Sequence, residues 1–114
     1  MTLITALLST GCERFSQKMT FPTPYQAVLL DNGQYFFGKL EERGASYAVL
    51  RDVFYVQSHV NPETKEVSSA LIKRGQEWHK PDAMYINPRH IVAIETVASD
   101  SKVAEMIARA QSGK

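Results

Sequence analysis

The chain has 114 residues, with 13 basic and 12 acidic side chains and a formal net charge of +1, which bounds it to one small domain. At 44% hydrophobic and 22% charged, its composition argues against disorder, collagen and coiled coil. The balanced charge argues against a surface that grips nucleic acid by net charge alone, and the single cysteine, Cys12, excludes an internal disulfide framework.

The first twelve residues form an apolar run that ends in small residues and Cys12. Only residues 3–8 are strongly apolar, far short of the ~20 that a membrane-spanning helix needs. Leu8-Ser9-Thr10-Gly11-Cys12 resembles the lipobox of bacterial lipoproteins, in which a small residue precedes the cysteine that receives lipid. Ser9 stands where that motif prefers an aliphatic residue, and no Lys or Arg precedes the apolar stretch. The expected location is therefore cytoplasmic, or the cell envelope with membrane attachment through a lipidated Cys12. Residues 12–24 read as a linker because Pro22 and Pro24 favour extended backbone.

From Tyr25 the pattern changes to strands. Residues 27–30 and 34–40 flank Asn32-Gly33, a pair expected to supply two positive-φ residues to a tight hairpin turn. Gly38 lies within the second strand and predicts a sharp bend or bulge there. A long third strand over residues 47–57 follows, with Leu50, Phe54 and Val56 expected on one inner face and Asp52 as the polar exception. Residues 61–66 read as a solvated, proline-bearing excursion, residues 70–72 as a short strand, and residues 74–83 as a second loop carrying Trp78, His79 and Pro81. Residues 84–86, a turn at Asn87-Pro88-Arg89 and residues 90–97 complete an expected set of five short strands. Val103, Met106, Ile107 and Ala110 then recur at the spacing of one helix face, with Asp100 or Ser101 available as its cap.

These residues predict a mainly β domain: a small, strongly bent, five-stranded antiparallel barrel over residues 25–98, an apolar tail and linker over 1–24, and a short amphipathic helix over 99–114. The segment from Val28 through Asp31-Asn32-Gly33 to Gly38-Lys39-Leu40, closed by Leu50-Arg51-Asp52-Val53, resembles the first motif of the Sm-like (Lsm, Hfq) family. Residues 86–94 resemble its second motif in length and aliphatic positions. SH3-like barrels share much of this spacing. The resemblance implies a diverged bacterial member of the family. It also implies a bent five-stranded sheet whose fourth and fifth strands pair between subunits, a ring-shaped homo-oligomer, and binding to single-stranded RNA. Tyr47 stands where the family places an Asn, Asn87-Pro88 replaces its Arg-Gly, and the helix follows the strands instead of preceding them.

Outside that resemblance, chemistry is sparse. His59, His79 and His90 show no metal-ligand spacing, no Gly-x-Ser-x-Gly elbow frames a nucleophile, and the six glycines are scattered singly. No catalytic residue, metal or cofactor is expected. Trp78 is expected either to lid the barrel or to anchor a partner, with Lys73, Arg74, Lys80 and Arg89 as a mildly basic surround. Tyr47, Trp78, His79, Arg89 and His90 are the expected partner or nucleic-acid contacts. The first expectation is a non-catalytic interaction or assembly module that self-associates through strand edges. An RNA-binding ring and an envelope lipoprotein adaptor that docks on an unidentified protein are the alternatives.

Overall fold

The computed structural model describes residues 20–43 and 46–113. These form six antiparallel strands in one sheet: β1 (Gln26–Leu30), β2 (Tyr35–Arg43), β3 (Tyr47–Val60), β4 (Val67–Lys73), β5 (Ala83–Ile86) and β6 (Ile91–Thr96). A single α-helix, α1 (Lys102–Ser112), follows them. The strand order is β4-β3-β2-β1-β6, with β5 also paired to β3. The sheet is not closed into a barrel, because no described strand pair joins β6 to β4 or β5. The turn expected at residues 87–89 is the 3-10 turn Pro88–His90, and the segments on either side of it are separate strands, β5 and β6, so the sheet has six strands in place of the expected five.

The β1–β2 hairpin departs from the expected two-residue turn. Only Gly33 has positive φ, at 87°. Gly33 N–H donates to Leu30 C=O and Leu30 N–H to Gln34 C=O, both at 2.9 Å, so three residues, Asp31-Asn32-Gly33, make the connection. Asn32 contributes through its side chain instead, its Oδ1 accepting Gln34 N–H at 2.9 Å.

Gly38 marks a bend, as expected. The β2–β3 register shifts between Phe37 and Lys39, and a Cβ at Gly38 would stand 2.8 Å from both Arg51 O and Leu50 Cγ. The backbone thus passes at a distance that only glycine permits. Buried Gln26, opposite Gly38, completes the bend. Its Oε1 accepts Leu40 N–H at 2.9 Å and its Nε2 donates to Thr23 C=O at 2.7 Å.

Across the bend, Asp52 adopts a left-handed φ of 53°. One such residue shifts the alternation of side chains by one position. Leu50 and Val53, three apart, therefore share one core with Val28, Phe36 and Ile86. Phe54 turns to the other face, into a second core with Tyr25, Ala27, Val97 and Ile107. This corrects the expected common face of Leu50, Phe54 and Val56: the first two lie in separate cores, and Val56 is exposed.

Helix α1 covers the second core. Ser101 caps it, its Oγ accepting Ala104 N–H at 3.1 Å. Ile107 is buried, with Val103 and Ala104 packed against the same cluster, whereas Ala110 is exposed. The docked stripe is thus rotated toward Ala104 from the expected one. Gln111 Nε2 also donates to Tyr25 Oη at 2.9 Å, tying the helix end to the start of β1.

Candidate functional site

Strands β4 and β5 lie along the same edge of β3, opposite β2, with Lys73 beside Phe54 and Ala83 beside Arg51. Residues 74–82 are therefore an excursion that leaves this edge and returns to it opposite Asp52 and Val53. Arg74 N–H donates to Val53 C=O at 2.8 Å where the chain departs. The excursion is braced from within by Glu77, whose carboxylate accepts Gly75 N–H at 2.9 Å and Arg74 Nε at 3.1 Å. Backbone hydrogen bonds from Gly75 and from Glu77 itself, and then the Arg74 guanidinium, lower the Glu77 carboxyl from its ordinary 4.5 to about 2.

Lys80 N–H donates to Glu77 C=O at 2.9 Å, which makes Trp78 and His79 the central residues of a tight turn. Trp78 is fully exposed and His79 is exposed beside it. Of the two expected roles for Trp78, the lid is corrected: the ring covers no part of either core. A fold that buries so large a ring gains stability, but here the Glu77 brace directs the turn outward.

Beneath the excursion is a cavity of about 310 Å³ lined by Asp52, Lys73, Arg74, Lys80, Asp82 and Met84, among others. Three residues of left-handed φ border it: Asp52 (53°), Gly75 (130°) and Lys80 (45°). Two of its five charged residues are in ion pairs, Asp52 with Lys39 at 3.3 Å and Arg74 with Glu77. The arrangement presents an aromatic side chain on a hydrogen-bonded turn and, among the described residues, holds no nucleophile beside a base.

The other expected contacts lie at the opposite end of β5. The Ala48–Ile86 pairing brings Tyr47 beside the 3-10 turn that carries Arg89 and His90. Asn87 Oδ1 caps this turn by accepting Arg89 N–H at 3.0 Å. His90 Nδ1 is 2.8 Å from Asp31 Oδ2, and Asp31 N–H donates to His90 C=O at 2.9 Å, so the turn is fastened to the β1–β2 hairpin. Tyr47, Arg89 and His90 share one rim and are exposed. Trp78 and His79 do not join them, since four-residue β5 holds the two groups ~10 Å apart along β3.

His59 lies on β3, His79 on the excursion and His90 on the 3-10 turn, and among the described residues no three His, Cys, Asp or Glu side chains converge as metal ligands. Cys12 lies outside the described residues. Sequence reasoning missed the bracing role of Glu77 and the buried role of Gln26. The available signal for Glu77 was its position two residues after Gly75, within reach of that backbone N–H. Gln26 gave none, because only the bend at Gly38 creates the donor it satisfies. No protein-family model matches the sequence, and no curated protein does.

Proposed function

We propose that this protein is a non-catalytic interaction and assembly module, an open, bent sheet of Sm-like or SH3-like type whose copies associate through strand edges. The observation that carries this reading is the open sheet. Among the described strands, β6 ends the strand path on one side and β4 and β5 on the other, so backbone donors and acceptors of these edges have no partner strand among the described residues. An unpaired edge is a template for another strand, and cyclic association of identical copies leaves none unused. Val92 on β6 and Tyr85 on β5 add exposed apolar side chains to those two edge strands.

Native mass of the full chain at low salt, before and after nuclease treatment, tests it. An oligomer of protein mass alone is the expected result, and a monomer at all concentrations overturns it. Excess mass removed by nuclease supports a second reading, single-stranded RNA binding, which is favoured by the fully exposed Trp78 on its braced turn. An exposed ring stacks on any base. On that reading Tyr47→Ala, Trp78→Ala and Arg89→Ala each weaken salt-dependent RNA binding.

A further inference from the structure

Beyond Tyr55, strands β3 and β4 continue as a two-stranded ribbon that leaves the body of the domain. The β3–β4 register runs without a shift from Phe54–Lys73 to Val60–Val67. The pairing of β2 with β3 stops at Phe54, so from residue 55 outward β3 has β4 as its one neighbour among the described strands. Every residue from Val56 to Ala70 is exposed. Isolated two-stranded ribbons are marginal in water, and exposed edges are ordinarily protected by Lys, Glu or Pro. This ribbon has none of these between residues 56 and 60 or between 67 and 70; its charges and its proline are confined to the connecting residues 61–66.

Alternation gives the ribbon two unlike faces. One carries Gln57 and His59 with Ser68 and Ala70. The other, on the side of Phe54, carries Val56, Ser58 and Val60 from β3, opposite Leu71, Ser69 and Val67 from β4. Val56, Val60 and Val67 are 45%, 53% and 66% exposed. This face continues the core that α1 covers, since Leu71 packs against the cluster of Phe54 and Ile107.

The order of side chains on this face is palindromic. Both strands read aliphatic, Ser, aliphatic. The Ser58 and Ser69 hydroxyls meet at 3.0 Å in the centre, with the Val60–Val67 pair on one side and the Val56–Leu71 pair on the other. Half a turn about an axis normal to the sheet, midway between the two serines, exchanges β3 with β4 and leaves the pattern unchanged. A surface with that property is complementary to itself: a second copy related by a twofold axis lays aliphatic on aliphatic and hydroxyl on hydroxyl, and each hydroxyl retains hydrogen-bonding capacity for the other copy. The face carries no Lys or Arg for a phosphate backbone and no charge for an oppositely charged protein.

We infer that the valine face of the β3–β4 ribbon packs against the same face of a second copy, forming a twofold dimer contact distinct from the strand edges. The inference rests on the reading of the chain as a self-associating module and specifies a surface for it. The five paired positions from 56 to 60 make the ribbon ~17 Å long. Two strands ~4.8 Å apart make the face ~10 Å wide, so its footprint of ~170 Å² is well under the ~800 Å² per partner of a standard interface, and this contact is weak and concentration-dependent.

The test is sedimentation velocity of the full chain across a concentration series, comparing the unaltered protein with Val60→Lys/Val67→Lys and with Tyr85→Glu/Val92→Glu, each checked for an unchanged thermal melt. The expected result is that the ribbon variant moves the midpoint of association to at least ~10-fold higher concentration, a shift of 1.4 kcal/mol. In a Cys12→Ser background, Ser58→Cys is expected to give a disulfide-linked dimer on mild oxidation and Gln57→Cys, on the opposite face, is not. Association that survives the ribbon variant and fails in the edge variant overturns this inference and leaves the module reading standing. A monomer throughout overturns both.

Discussion

The inner and outer halves of β3 have the same secondary structure and very different support. From Val49 to Phe54 the strand has β2 on one edge and β5 or β4 on the other, and its side chains enter buried clusters on both faces of the sheet. From Val56 to Val60 it has one neighbour among the described strands and no buried side chain. The inner half is held by burial, with Leu50 and Phe54 wholly removed from water. The outer half is held by ladder hydrogen bonds and cross-strand pairs, each pair contributing ~0.2–1 kcal/mol. Strand length is therefore a poor guide to stability here. The outer half persists because the inner half holds its register.

The sharpest way to break that comparison is to truncate side chains two residues apart. Phe54→Ala should cost ~3–5 kcal/mol in denaturant unfolding, whereas Val56→Ala should stay within ~0.5 kcal/mol. Measured below the concentration of association, equal costs would mean that the ribbon face is covered within a single copy. The bend that joins the halves is the next most sensitive point. Gly38→Ala should cost close to ~3 kcal/mol, the upper end of overpacking, because the new Cβ meets backbone at Arg51 O as well as the Leu50 side chain. Thermal unfolding checks this, and a neutral result would show that β2 and β3 can separate at the bend. Gln26→Leu preserves volume but leaves Leu40 N–H without its acceptor, for a loss of ~1–2 kcal/mol.

The smallest expected effect is in the excursion. The Glu77 carboxyl titrates near 2 in the folded protein and near 4.5 when unfolded, so its contribution is present above pH 4.5 and is lost as pH falls through 2. The Gly75 amide proton shift, followed by NMR, should titrate with a midpoint near 2. A midpoint at 4.5 would mean that Glu77 does not brace the turn that presents Trp78.

Local chemistry made much of this legible in the sequence. The place of the β1–β2 hairpin, though not its three-residue turn, the bend at Gly38 and the C-terminal helix are marked by residue type and period. Asp52 was visible only as an anomaly. Its left-handed backbone reverses which residues of β3 face which core, and no periodicity rule that assumes unbroken alternation could recover that. The candidate contacts were legible as residue types and not as a constellation. Tyr47, Arg89 and His90 lie at one rim because Ala48 pairs with Ile86, while Trp78 stands apart because a strand lies between.

By itself the sequence determined the mainly antiparallel β class, the places where the chain turns and the helix that closes it, because turn chemistry and side-chain period act over a few residues. Tertiary structure alone decided that two cores lie on opposite faces of one open sheet, that Trp78 points into solvent, and that a palindromic valine face projects on a ribbon. Each depends on which strand ends beside which, and that is set by long-range burial and by the shift of alternation at one aspartate.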